Sequence, residues 1–260
     1  MINKIDETFK NKNNMKIMTH IVAGYPDIKA NLEIVKIMAD SGVSFIEVQI
    51  PFSDPLADGP TIMQANQYAL DKGIKVKDCF TLVEKIIKIV EIPILFMSYI
   101  NIPYRIGFEN FIQNSYDSGI SGFIIPDMPF DEEINNFFEL SLDKNIYVIP
   151  VISPDINVYR LTKILQISKG FIYSTLKVGV TGVQKNIKQE SFDFLNMLRK
   201  KTNLPIAGGF GISNIEQINQ LSGLVDVVVI GSHLINLLDL EGLTGAQLFL
   251  KELSKSVYLA

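Results

Sequence analysis

Short runs of β-branched and apolar residues alternate along this chain with longer segments whose apolar positions recur at helical spacing. The runs predict strands over 16–22, 43–50, 92–97, 122–126, 146–152, 171–174, 204–207 and 225–230. Between them the spacing predicts helices over 29–40, 61–72, 77–90, 108–118, 131–142, 157–167, 189–201 and 215–221, with 245–258 closing the chain. Boundary residues agree with this division. Gly42, Gly73 and Gly119 stand just past helices, where a left-handed cap is wanted. Pro93 and Pro205 stand at strand starts, where a missing N–H is tolerated. Thr244 occupies the N-cap place of the last helix.

Eight strands alternating with helices admit an open doubly wound sheet or a closed barrel, and closure removes both unpaired edges. The expectation is therefore an α/β fold, a (β/α)8 TIM barrel with an extra N-terminal helix. No Pro/Gly/Ser linker divides the chain, so residues 1–260 read as one domain.

Composition narrows the function. Hydrophobic residues make up 47% and charged ones 20%, which suits strands buried on both faces. A net charge of −4 argues against nucleic acid as a partner. Charged residues or proline interrupt every apolar stretch before the ~20 residues needed to span a membrane. The charged start lacks the apolar core of a signal peptide, and a single cysteine, Cys79, forms no intrachain disulfide. A soluble cytoplasmic protein is expected. The two histidines, His20 and His233, lie far apart in sequence, so no metal site is expected.

A barrel carries its chemistry at the C-terminal ends of its strands. Glu47 is the anomaly of the second strand, a carboxylate inside an apolar run. Strand alternation puts it on one face with Phe45 and Gln49. If that face is the interior, Glu47 sits near the barrel mouth, where an acid/base group is useful; a salt-bridged core glutamate is the other reading. The loop that follows, 51–60, holds Pro51, Pro55 and Pro60 and adds Asp54 and Asp58. These aspartates can make Asx-turns or cap the next helix, and Asp54 suits such a role.

Three Gly-rich segments follow the last three strands: 179–182, with Gly179 and Gly182; 208–213, with Gly208, Gly209 and Gly211; and Gly231–Ser232. One such turn is ordinary loop chemistry. Three that converge at one barrel mouth suggest backbone amides aimed at a phosphate. The segment 175–188 is long for a connection of this kind and reads as a lid. Other barrel enzymes acting on sugar phosphates fit these features, although no strand core offers the lysine of a Schiff-base aldolase. A non-catalytic assembly subunit fits the fold equally.

The stretch 47–61, Glu-Val-Gln-Ile-Pro-Phe-Ser-Asp-Pro-Leu-Ala-Asp-Gly-Pro-Thr, closely resembles the signature of the tryptophan synthase alpha chain family. The similarity runs in unbroken order over essentially the whole chain. Gln49 departs from it, since glycine is usual there. His20 stands where the family commonly carries an apolar or aromatic residue; it either lines the indole end of the pocket or, the preferred reading, packs as a neutral imidazole.

The resemblance implies cleavage of indole-3-glycerol phosphate to indole and glyceraldehyde 3-phosphate. Glu47 would be the catalytic acid/base and Asp58 the second catalytic carboxylate. Tyr173, Thr181, Gly182, Phe210, Gly211, Gly231 and Ser232 match substrate-binding positions, and Thr181 would help secure a closed 175–188 segment. The alpha chain would need no cofactor. Pyridoxal phosphate would belong to a beta subunit that takes up the indole in an alpha2-beta2 heterotetramer for tryptophan biosynthesis. The partner's docking surface would draw on 53–58, 101–104 and 127–129. Tyr99 with Asn101, and Asp127 with Pro129, would contact substrate or partner, or serve local turns; Tyr25–Pro26–Asp27 reads as a structural turn.

Overall fold

The computed structural model describes residues 2–10, 14–130, 136–176, 179, 187–209 and 211–259. Among these residues nine strands form one parallel sheet: β1 (Lys16–Val22), β2 (Phe45–Gln49), β3 (Ile94–Met97), β4 (Gly122–Ile124), β5 (Tyr147–Ile149), β6 (Val151–Ile152), β7 (Ile172–Thr175), β8 (Ile206–Gly209) and β9 (Val227–Ile230). Their order, β5-β4-β3-β2-β1-β9-β8-β7-β6, begins and ends on two halves of one chain segment. Proline 150 splits that segment, because it has no N–H to give to a ladder. Its carbonyl still accepts from the Tyr173 amide at 2.9 Å. The fifth expected strand, 146–152, is therefore two short ones, and the barrel closes through it.

Alternation along each strand separates two cores. Outward residues such as Ile46, Val48, Phe96, Phe123 and Ile206 pack beneath the surrounding helices. Inward residues, among them Met18, Phe45, Leu95, Ile124, Ile149, Phe171, Ala207 and Val227, fill the barrel. The floor is closed by the expected N-terminal helix, α1 (Lys4–Phe9). Fully buried Ile5 enters the barrel, and Phe9 meets Phe45 and Phe171 with ring centres 5.4 and 6.1 Å away. Asn3 fastens this plug: its Oδ1 caps the Ile5 amide at 2.8 Å, and its Nδ2 donates to the Ser121 and Asn145 carbonyls. With the floor sealed, the open space lies at the other end of the strands.

The helices follow the expected order: α2 (Ile28–Asp40), α3 (Pro60–Asp71), α4 (Val76–Ile86), α5 (Asn101–Ile106), α6 (Phe108–Ser118), α7 (Phe137–Asp143), α8 (Val158–Ile167), α9 (Gln189–Lys201), α10 (Ile215–Leu221) and α11 (Ser232–Leu259). Two features were not expected. Helix α5 adds a short turn after β3, and α11 begins directly after β9. The latter is interrupted at Gly242, whose φ of 67° breaks the helix two residues before the expected cap at Thr244. The glycines at 42, 73 and 119 all have φ between 83° and 87°, as left-handed caps do. The first part of the helix expected over 131–142 lies outside the described residues.

Candidate active site

Parallel pairing of β1 with β2 sets His20 opposite Glu47 and Val22 opposite Gln49. Glu47 and Gln49 share the inward face, as alternation predicts, and both are buried. Glu47 is not isolated there: its Oε2 lies 3.1 Å from Nδ1 of His20. Burial alone would lower the His20 pKa. The Glu47 charge and hydrogen bond, then the Asp58 charge and the nearby Gln49 amide, outweigh it and leave the imidazole raised above its ordinary value. His20 is thus not merely packed: it lines the cavity and is the hydrogen-bond partner of Glu47.

The proline-rich loop after β2 folds back over the mouth and delivers Asp58, which is 3% exposed. Gln49 donates from Nε2 to Asp58 Oδ2 at 2.6 Å, and the Tyr99 hydroxyl donates to the same oxygen at 3.0 Å. Burial pushes the Asp58 pKa up, while Gln49, His20 and Tyr99 hold it back. Burial and then the Asp58 charge push the Tyr99 phenol far up, which keeps it protonated and donating.

Tyr99 also steadies the loop itself. Its oxygen accepts from the Ala57 amide at 3.1 Å, and its ring stacks on Phe52 at 5.3 Å. Asn66 in α3 accepts from the Phe52 amide. Asp127 serves the neighbouring loop by accepting from the Ile100 amide at 2.9 Å. Tyr99 and Asp127 thus each hold the backbone of a loop at the mouth.

Glu47 and Asp58 line one cavity. Ala57, Ile62, Met97, Ile124, Val151 and Val229 give it apolar walls. Tyr173, Gly211, Ile212, Gly231, Ser232 and His233 line it as well. Ser232 and His233 open α11, whose first amides and dipole favour an anion. Burial lowers the His233 pKa, so that ring is neutral at pH 7. The cavity thus joins a carboxylate pair, an apolar slot and an anion-attracting helix start.

Of the sequence-derived site residues, Glu47, Asp58, Tyr173, Gly211, Gly231 and Ser232 converge on this cavity. Thr181, Gly182, Phe210 and most of the segment 175–188 lie outside the described residues. Gly208 and Gly209 belong to β8 and not to a loop. A Cβ on Gly209 would collide with the Tyr173 hydroxyl, and one on Gly208 would stand 2.9 Å from Val225. Their bareness makes room for neighbouring side chains. The sequence reading missed the roles of Gln49 and Tyr99 at Asp58. Gln49 carried a signal, as a polar residue two places from Glu47 on the same strand face.

Comparison with known proteins settles the family. The family model for the tryptophan synthase alpha chain matches residues 7–255. The chain belongs to the tryptophan synthase alpha chain family. A member from Syntrophotalea carbinolica is 38% identical over 252 residues, covering 96% of this chain and 99% of that one. A Bacillus cereus member is 37% identical over 240 residues, covering 92% of each. A structure of Mycobacterium tuberculosis tryptophan synthase superposes with a TM-score of 0.92 at 29% identity over 100% of both chains. A tryptophan synthase complex from Pyrococcus furiosus gives 0.84 at 28% identity, covering 95% of this chain and 99% of that one. Membership makes this barrel a lyase of the tryptophan synthase kind. No described helix is long and apolar enough to cross a membrane.

Proposed function

We propose that the chain, acting as a single barrel domain, performs the alpha reaction of tryptophan synthesis. It cleaves the carbon–carbon bond between indole C3 and the glycerol phosphate chain of indole-3-glycerol phosphate. The observation that carries this reading is the meeting of Glu47 and Asp58 in one apolar-walled cavity that also takes in the start of α11.

The reaction needs a proton on indole C3, which places positive charge on the ring nitrogen, and a base for the adjacent side-chain hydroxyl. Glu47 enters protonated and delivers that proton to C3; as the carboxylate so formed it takes up the hydroxyl proton and ends as it began. The C–C bond then breaks, its electron pair returns to the ring as indole, and the side chain leaves as glyceraldehyde 3-phosphate. Asp58 steadies the cation by accepting the indole N–H. Two donors already occupy its Oδ2, so Oδ1 is assigned to the substrate. The fixed carboxylate is preorganised for a charge that exists only during the reaction.

The apolar walls suit the indole ring. The phosphate is assigned to the α11 end, with Gly211, Gly231 and Ser232 and, by family position, Tyr173, Thr181, Gly182 and Phe210. No organic cofactor is needed by these steps; pyridoxal phosphate belongs to the beta subunit. The released indole is handed to that subunit in an alpha2-beta2 complex. Leu56 at the loop tip and Tyr104 after β3 are apolar yet 82% and 70% exposed, and they suit a docking surface at the mouth. The cytoplasm, where biosynthetic enzymes work, is the assigned compartment.

The test is direct. Incubated with indole-3-glycerol phosphate, the purified chain releases indole and glyceraldehyde 3-phosphate in equal amounts, faster with a beta subunit present. Absence of indole under both conditions overturns the reading.

A further inference from the structure

Two buried polar atoms in the site have no hydrogen bond: Nε2 of His20 and Oε1 of Gln49. Their neighbours fix what each must be. An ionised carboxylate only accepts, so Gln49 must turn its NH2 to Asp58 and is left with an unused acceptor. The Glu47 carboxylate left after proton delivery likewise requires a proton on Nδ1 of His20, which leaves Nε2 as the unused atom. In the neutral ring Nε2 would be a second bare acceptor beside the Gln49 oxygen. In the imidazolium it is a donor, and both orphaned atoms gain a partner after a small adjustment.

We propose that His20 is a positioning residue for the reaction, held as an imidazolium between Glu47 and Gln49, so that one cation fixes Glu47 directly and Asp58 through the Gln49 amide. The proposal rests on the catalytic reading of the two carboxylates.

Charge in the cavity agrees. Glu47 and Asp58 are both buried, and no lysine or arginine is among the described residues that line the cavity. The titratable groups facing His20 come from several elements. Glu47 stands on β2, Asp58 on the following loop, Tyr173 on β7 and His233 at the start of α11. Burial, with the two carboxylate charges, holds the Tyr173 phenol well above its ordinary range, so it is neutral. His233 is lowered by burial. Histidine 20 is therefore the group left to carry positive charge. Its ring rests against bare backbone, since a Cβ on Gly231 would lie 3.4 Å from His20 Cβ.

The charge is read by NMR of the full chain, which has only two histidines to assign. One imidazole should titrate above 6.5 in wild type and shift downward in Glu47→Gln, where the largest of the groups opposing burial has lost its charge. Kinetics of indole release are then followed against pH with the beta subunit present. His20→Leu should lower kcat about tenfold or more with KM within about threefold, because the phosphate end is untouched. His20→Asn, whose amide nitrogen can take the place of Nδ1 but carries no charge, should recover part of kcat. The wild-type kcat should decline at high pH in step with the imidazole titration, and His20→Asn should lack that decline.

The proposal is overturned by both imidazoles titrating below 6.5, or by His20→Leu keeping the wild-type kcat and pH profile. A parallel loss of kcat, KM and melting temperature that His20→Asn fails to repair also overturns it, as the mark of a packing role. A wild type that releases no indole overturns the functional reading instead, and the NMR titration still decides the charge on His20.

Discussion

Replacing Tyr99 by phenylalanine isolates what one oxygen contributes to the catalytic loop. The stack on Phe52 and the filled core remain, because only the hydroxyl is lost. Two hydrogen bonds go with it: the 3.0 Å donation to Asp58 and the 3.1 Å acceptance from the Ala57 amide. A buried bond to a carboxylate contributes about 1.5–3 kcal/mol and one between neutral groups about 0.5–1.5 kcal/mol. The sum is about 3 kcal/mol, or a fall of about 6–12 °C in Tm for a domain of this size. The site should respond as well. Burial already raises the Asp58 pKa, and Tyr99 is one of the groups opposing it. Without the hydroxyl that pKa rises further, and Asp58 is protonated over more of the acidic range. The acidic limb of kcat should therefore move to higher pH, with kcat near neutrality lowered about tenfold through loss of a positioned charge. Calorimetry and the pH dependence of indole release measure the two effects. A Tm unchanged to within about 1 °C, together with an unmoved acidic limb, would refute the assignment of Tyr99 as the loop's anchor.

Gly209→Ala should destabilise the barrel by about 1–3 kcal/mol and raise KM, because the new methyl collides with the Tyr173 hydroxyl; urea titration and steady-state kinetics check this. Tyr104→Asp should weaken binding of the beta subunit at least tenfold while leaving indole release by the isolated chain unchanged, as titration calorimetry and a parallel assay would show. The raised pKa of His20 implies stabilisation that is complete below its unfolded value and fades as pH rises through its folded value. Wild type should thus lose stability relative to His20→Leu across that window in urea titrations. Cys79 is buried and its thiol is pushed far up by burial, so it should resist thiol reagents until the chain unfolds.

The barrel was legible because both signals that define it are local. Apolar β-branched runs such as 227–230 read as strands buried on two faces, and the helical stripes between the runs fall at the right lengths. The ends of elements were less legible. Gly208 and Gly209 read as loop residues because glycine is poor in strands, yet the space demanded by Val225 and Tyr173 placed them in β8. Pro150 was visible in the sequence, but its effect on closure depends on which neighbour its carbonyl meets. Helix α11 was foreseen only in its second half, because the run after β9 gave no cap signal before Gly242.

The site divides in the same way. Glu47 stood out as a charge in an apolar strand, and Asp58 came through the family-like stretch 47–61. Their partners did not stand out. His20 and Gln49 lie 29 residues apart in sequence, and nothing but the β1–β2 register shows that each can reach a carboxylate. Tyr99 became the loop's anchor only through tertiary contact. Pairings of this kind are properties of the closed barrel and not of any single strand.

The central claim is the division of labour between the two carboxylates, and the most direct test is indole release from indole-3-glycerol phosphate by Glu47→Gln and Asp58→Asn beside wild type. Glu47→Gln should lose about 10²–10⁴-fold in kcat, because nothing else in the cavity is assigned to move the proton. Asp58→Asn should lose about 10²–10³-fold, the scale of removing one preorganised partner from a developing charge. Wild-type turnover in Glu47→Gln would contradict the account.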